Sequence, residues 1–241
     1  YEDKIFCAQC QKELFPVEDK TEILSYPEIV GYQIKSSIKN GVSGASYTAV
    51  RLRDNAPVYI KVLHDVNMDV LFYLLSLKKK IDHIHNGFMP RILEISCKAP
   101  HYVVMEYIEG ESLEKKAGRL GKRADWAAQI VQFLVGQFVR LEADGIVHGD
   151  IKPANIIHQQ GNEFKLVDFS IRHQVGNCRY EPKDELYIAP EVLFKSGPVT
   201  SKCDVYSLAA VFYFLLTGSH PFAEYQRDRK STRLNSSHVS Q

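Results

Sequence analysis

The segment His148-Gly149-Asp150-Ile151-Lys152-Pro153-Ala154-Asn155 sets a carboxylate, an amine two residues later and an amide five residues later in one short stretch. That trio suits phosphoryl transfer. Asp150 can orient an attacking hydroxyl and accept its proton, Lys152 can neutralise charge on the moving group, and Asn155 can hold a metal ion through its amide oxygen. Thirteen residues beyond Asn155 comes Leu166-Val167-Asp168-Phe169-Ser170, which reads as a strand ending in a carboxylate. Asp168 would there take Mg²⁺ bridging nucleotide phosphates. Upstream, Lys61 lies in Val58-Tyr59-Ile60-Lys61-Val62-Leu63, a strand rich in β-branched residues. A lysine flanked by Val and Ile is costly to bury unless it meets an anion. Either acidic segment alone reads as a polar surface loop; together, and in this order, they point to a magnesium–nucleotide site that draws on Lys61, Asp150, Asn155 and Asp168.

Such residues need a scaffold, and the chain spells one out. From Tyr32 to about Arg53 two strands flank the turn-rich Asn40-Gly41-Val42-Ser43-Gly44. The spacing of Val70, Leu71, Leu74, Leu75 and Leu77 predicts a helix over 68–80. Tyr102 to Tyr107 returns to strand. A long helix is predicted over 126–144, with Ile130, Phe133, Leu134, Phe138 and Leu141 on one side and Gly145 as a left-handed stop. A very apolar helix begins at Asp204-Val205-Tyr206-Ser207-Leu208 and ends at Leu216-Thr217-Gly218. A strand-rich part followed by a helix-rich part predicts an α+β fold of two lobes, with no internal repeat.

Composition narrows the function classes. At 241 residues there is room for one large domain or two small ones, and 45% hydrophobic with 24% charged residues is ordinary for a globular protein. A formal net charge of +1 argues against a nucleic-acid partner bound by phosphate neutralisation. The excess comes from the polar, Ser-rich stretch 227–241, where Arg227, Arg229, Lys230 and Arg233 face a single acid, Asp228. That stretch reads as a translated cloning adapter or a disordered tail, and it is set aside from the fold. The longest apolar run, Val211 to Leu216, is far too short for a membrane segment, and no secretory signal is present. Five cysteines, with Cys97, Cys178 and Cys203 scattered singly, fit reduced thiols and a cytoplasmic location better than a disulfide framework. Cys7 and Cys10 are spaced to supply half of a tetrahedral Zn²⁺ site; two ordinary reduced cysteines fit the spacing equally well.

From about Tyr32 to Tyr225 the sequence resembles the protein kinase family, of the bacterial serine/threonine type. The resemblance is carried by His148-Gly149-Asp150-Ile151-Lys152-Pro153-Ala154-Asn155, Asp168-Phe169-Ser170, Ala189-Pro190-Glu191 and Val58-Tyr59-Ile60-Lys61. It implies a bilobal fold with a β-rich N-lobe over 26–105 and a helical C-lobe over 106–226 that lacks its final helices. It implies ATP and Mg²⁺ as cofactors and a protein as the phosphoryl acceptor, with Lys152-Pro153 favouring Ser/Thr over Tyr. Lys61 would grip the α- and β-phosphates, and backbone N–H groups around Gly41 and Gly44 would cradle phosphate. Met105-Glu106-Tyr107-Ile108-Glu109-Gly110 resembles the hinge. There, backbone groups of Glu106 and Ile108 would meet adenine, Met105 would line the back of the pocket, and Glu111 or Ser112 would reach the ribose. Asp204 would hold the catalytic-loop backbone. The segment 1–25 resembles the second knuckle of a zinc ribbon, of the kind found ahead of some bacterial kinases.

Several positions depart from the family pattern. Lys39 and Ser46 replace a glycine and a valine of the glycine-rich segment, although Gly44 still precedes Lys61 by 17 residues, as two antiparallel strands require. The acids between Val62 and Ile81 are Asp65 and Asp69; Asp69 is the candidate partner for Lys61, and a helix-cap role fits it as well. Gly149 replaces the Arg that receives an activation-loop phosphate, and from Asp168 to Glu191 the hydroxyl side chains are Ser170, Tyr180 and Tyr187. Activity is therefore expected not to need activation-loop phosphorylation. Asp184 replaces a Thr and can pair with Lys152. Glu191 is expected to lack its usual Arg partner, and the fragment by itself is expected to be inactive. Two other classes compete with the kinase reading: a non-catalytic pseudokinase scaffold, and a small-molecule phosphotransferase of the aminoglycoside type, which also opens its catalytic loop with His-Gly-Asp.

Overall fold

The computed structural model describes residues 26–41, 44–64, 66–84, 87–120, 124–161, 163–169 and 185–221. The chain divides into two compact units, Tyr1–Leu71 with Arg91–Tyr107, and Phe72–Pro90 with Ile108–Gln241.

The first unit is built on a five-stranded antiparallel sheet. Its strands are β1 (Tyr32–Gly41), β2 (Gly44–Arg51), β3 (Ala56–Leu63), β4 (Ile92–Ile95) and β5 (Tyr102–Glu106), in the order β1-β2-β3-β5-β4. Alternation along β3 sends Val58 and Ile60 into an apolar core with Ile29, Ala49 and Val104, bordered by Tyr32, Ile34, Val62, Leu93 and Tyr102. Register therefore sends Tyr59 and Lys61 to the opposite face. At the rim of the core, Tyr32 and Tyr102 donate to the two oxygens of Glu94, at 2.7 Å each. Burial, reinforced by that carboxylate, pushes the Tyr102 phenol up to about 12 and the Tyr32 phenol higher still. Both hydroxyls stay protonated and remain donors.

Helix α1 (Met68–Ile84) runs one turn past the sequence expectation. Val70, Leu71, Leu74, Leu77 and Ile81 are buried on it, whereas Leu75, expected on the apolar side, is exposed. Its cap is Asn67, whose Oδ1 accepts from the Val70 N–H at 3.0 Å.

The second unit is mainly helical. It contains α2 (Leu113–Leu120), α3 (Ala124–Ala143), α4 (Pro190–Leu193) and α5 (Ser201–Thr217). A small antiparallel sheet joins β6 (Glu111–Ser112), β7 (Ile156–His158) and β8 (Phe164–Leu166). α3 buries Ala127, Ile130, Leu134, Phe138 and Leu141, so the i, i+3/i+4 stripe is the packed one. It stops at Gly145 (φ 62°), where Ile146 N–H closes on the Leu141 carbonyl at 2.8 Å. α3 packs on α5, and the Ser201 hydroxyl donates to Glu142 at 2.6 Å. Phe88, Phe133, Phe138 and Phe164 form an edge-to-face cluster beside the small sheet. The strand expected to end in Asp168 stops earlier, at Leu166. Among the described residues no helix is long and apolar enough to cross a membrane.

Candidate active site

The loop 148–155 is held from below by one buried carboxylate. Asp204, in the first turn of α5, is 3% exposed; its two oxygens accept from the His148 and Gly149 N–H groups at 2.8 Å each. Burial pushes the Asp204 carboxyl up to about 6, against the pull of those two N–H donors. The bonds fix a sharp backbone path in which Gly149 has φ 74°, a region where a side chain is strained.

His148 is the second fastening, a role not read from the sequence. Its ring is fully buried, accepts the Asp150 N–H at Nδ1 (3.2 Å) and sets Nε2 against the Val167 carbonyl (3.2 Å). An acceptor at Nδ1 and a carbonyl at Nε2 require the proton on Nε2. The ring also packs on Phe169, with centroids 5.1 Å apart. One imidazole thus ties the loop that carries Asp150 to the segment that carries Asp168.

Asp150, Lys152 and Asn155 come together. Lys152 Nζ lies 3.0 Å from Asp150 Oδ2. The Asn155 amide nitrogen donates both to the Asp150 carbonyl (2.8 Å) and to Oδ2 (2.9 Å). Both amide protons are then spent on Asp150, and the amide oxygen is the Asn155 atom left to face a cation. Pro153–Asn155 form a 3₁₀ turn, and the Asn155 carbonyl accepts the Val167 N–H at 2.9 Å, next door to Asp168. Asp168 is a non-glycine residue at φ 63°, a conformation that is costly for a residue with a side chain. An amide oxygen and a carboxylate are the oxygen ligands that Mg²⁺ prefers.

In the first unit, Lys61 is 7% exposed on β3, with Ser46 and Val103 as its cross-strand partners. Gly41 and Gly44 pair at the end of the β1–β2 hairpin. Gly44 has φ 140°, and a Cβ there would meet the Val62 carbonyl oxygen at 1.9 Å, so the position excludes any side chain. The Glu106 N–H is spent on the Arg91 carbonyl at 2.9 Å, which leaves a base contact to its carbonyl. Asp69 is exposed and makes no ion pair among the described residues; Asn67 takes the cap role considered for it.

Ile108 and Glu111 belong to the second unit. Glu111 pairs with His158 across β6–β7. Lys116 Nζ lies 2.7 Å from His158 Nδ1; burial, then that ammonium, holds the His158 pKa below its usual value. Ser112 accepts the Lys115 N–H at 3.4 Å and so caps α2. Glu191, expected to lack a partner, accepts from the Cys203 thiol at 3.4 Å. Cys7, Cys10, Ser170, Tyr180, Asp184 and the stretch 227–241 lie outside the described residues. Among those that are described, no group of three or more His, Cys, Asp or Glu could hold a metal ion by itself.

Comparison with known proteins gives this arrangement a family. A family model described as "Protein kinase domain" matches residues 32–240. The chain is 27% identical over 205 residues to "CBL-interacting serine/threonine-protein kinase 20" of Arabidopsis thaliana, covering 80% of this chain and 46% of that protein. It is 26% identical over 201 residues to "CBL-interacting protein kinase 5" of Oryza sativa subsp. japonica (79% and 44%). To "CBL-interacting protein kinase 12" of the same plant it is 28% identical over 207 residues (80% and 38%). The chain therefore spans less than half the length of these curated relatives.

Proposed function

Because this chain belongs to the protein kinase family, we propose that it transfers the γ-phosphoryl group of ATP to serine or threonine hydroxyls of proteins. The observation that carries the reading is the cluster in which Lys152 and the Asn155 amide nitrogen both meet Asp150 Oδ2. Asp150 orients the acceptor hydroxyl and takes its proton; Lys152, held beside it, offsets negative charge on the transferred group. Asn155 and Asp168 hold Mg²⁺, which when bound neutralises the phosphate oxygens. Lys61 meets the α- and β-phosphates, the backbone at Gly41 and Gly44 cradles phosphate, and Glu106, Ile108 and Glu111 face the base and ribose. Ser112 is left out of the ribose role, since its hydroxyl caps α2.

Independence from activation-loop phosphorylation is part of this proposal. Gly149 offers no cation to a loop phosphate, and Tyr187 is 5% exposed with its hydroxyl 2.8 Å from His220 Nδ1, out of reach of a modifying enzyme. Cytoplasmic placement is supported by the free thiols of Cys97 and Cys203. A Zn²⁺ half-site at Cys7 and Cys10 rests on their spacing alone, as does the bacterial type, since the relatives above are from plants.

Transfer of label from [γ-³²P]ATP to a generic protein acceptor by the full-length parent of this chain, with Asp150→Asn as control, tests the activity. Incorporation that disappears in the variant supports it. The exposed Asp69 on α1, in place of a longer acid, favours one competitor, a nucleotide-binding scaffold. Nucleotide binding without any transfer would select that reading, and label found only in a sugar or antibiotic would select a small-molecule transferase.

A further inference from the structure

Three consecutive lysines near the end of α1 take different routes. Lys78 pairs with Asp82 on the same helix at 2.8 Å, and Lys79 is exposed. Lys80, half-buried, crosses 65 residues of sequence to donate from Nζ to the Gly145 carbonyl at 2.7 Å. That carbonyl lies just past the end of α3. The last carbonyls of a helix lack partners within it and carry partial negative charge, so an ammonium is a favourable neighbour there. Only Ile146 and Val147 separate Gly145 from His148, and Ile146 is itself buried. The loop that carries Asp150 is therefore entered under two constraints: Lys80 of α1 holds Gly145, and Asp204 of α5 holds His148 and Gly149. The chain just beyond α1 makes a second connection. The Phe88 carbonyl accepts the Leu166 N–H at 2.9 Å, and Lys165 Nζ donates to the Gly87 carbonyl. Leu166 ends β8, two residues before Asp168. All these contacts lie within the second unit, so the end of α1 and the residues after it touch the approach to Asp150 and the approach to Asp168.

We infer that Lys80 is a positioning residue for phosphoryl transfer: its ammonium on the Gly145 carbonyl sets where the chain leaves α3 and so where Asp150 stands. This rests on the kinase reading above and adds to it a residue that touches neither nucleotide nor acceptor. A shift of about 1 Å at a reacting group costs on the order of 10²-fold in rate. The selectivity follows from the contacts. Lys80 belongs to none of the groups assigned to the nucleotide, and the tie of β8 to Phe88 is made by the backbone, which a change at Lys80 leaves in place. Its loss should therefore slow the chemical step and spare nucleotide binding.

Label transfer at saturating Mg·ATP by the full-length parent, compared with its Lys80→Met, Lys80→Arg and Lys79→Met variants, provides the test. Titration calorimetry gives Mg·ATP affinity, and urea midpoints verify that each variant is folded under assay conditions. The expected result for Lys80→Met is kcat lowered about 10- to 100-fold with Mg·ATP affinity held within about twofold. Lys80→Gln, a second loss of the ammonium, carries the same expectation should the methionine variant not fold. Arginine keeps a cation able to donate to the carbonyl, so Lys80→Arg should recover most of the rate, and Lys79→Met should match the unaltered protein. An unchanged kcat in Lys80→Met overturns the assignment, as does a loss that arginine fails to rescue, an equal loss in Lys79→Met, or a parallel loss of Mg·ATP affinity. Asp150→Asn separates the two levels. Transfer that Asp150→Asn abolishes and Lys80→Met leaves at full rate removes the Lys80 role and keeps the kinase reading; an unaltered parent that transfers no label removes both.

Discussion

The role proposed for Asp150 needs its carboxylate held, and the grip comes from uncharged as well as charged neighbours. Asn155 spends its amide nitrogen on Asp150, so Asn155→Ala should both release that carboxylate and remove the amide oxygen meant for a cation. We expect kcat to fall by about 10²–10³-fold, measured by label transfer at saturating Mg·ATP. Asp204 supports a different prediction. Its carboxyl is raised from 3.8 to about 6, so the folded protein holds that proton more tightly than the unfolded chain does. This contribution to stability is fully present below about pH 4 and is lost as the pH rises to about 6. Urea unfolding of the protein and of Asp204→Asn should show the difference between their stabilities falling across that window and flat above it; a difference that climbs would refute the assignment. At neutral pH the asparagine variant should be less stable by roughly 1–3 kcal/mol, because one amide oxygen cannot serve both the His148 and Gly149 N–H groups.

At the scale of elements, the β1–β2 hairpin depends on an absent side chain. A Cβ on Gly44 would lie 1.9 Å from the Val62 carbonyl oxygen on β3, so Gly44→Ala must pull β2 from β3 or distort both. The strands on either side of it include the one that carries Lys61. The expected outcome is a loss of more than about 2 kcal/mol in urea unfolding, together with weaker Mg·ATP binding. Helix α1 relies on a smaller device. Asn67→Ala removes the acceptor for the Val70 N–H and should cost about 0.5–2 kcal/mol, whereas Asp69→Ala, on an exposed side chain, should cost less than half a kcal/mol.

For the molecule as a whole, the residues proposed for phosphoryl transfer fall in both units, with Lys61 in the first and Asp150, Asn155 and Asp168 in the second. Control of the proposed activity is a question for the whole chain as well. With Gly149 in the catalytic loop and Tyr187 sealed against His220, treatment with a protein phosphatase should leave the rate of label transfer within about twofold of the untreated protein. A loss of tenfold or more would mean that a phosphorylated hydroxyl elsewhere in the chain supports the active state.

The order of elements and the meeting of Asp150, Lys152 and Asn155 were legible in the linear text, because periodicity reports directly on burial and because these three are neighbours whose geometry a single turn decides. Lys61 was legible for the same reason, a charge inside a β-branched strand. Other features depended on long-range encounters that spacing does not encode. Asp204 reaches back 56 residues to the His148 N–H, an encounter anticipated by the family resemblance and not by spacing; His148 bridges to Val167 and Phe169, and Glu191 finds the Cys203 thiol instead of remaining alone. Local pattern likewise left Ser112 divided between ribose and helix cap, and Asp69 between ion pair and cap; backbone N–H groups made that choice, selecting Ser112 and Asn67 as the acceptors nearest to unsatisfied donors. Residue types and spacing alone were enough to define which chemistry is feasible. Which groups are fastened, and in what protonation state, was decided by tertiary contacts, since burial and hydrogen bonding arise only when distant segments meet.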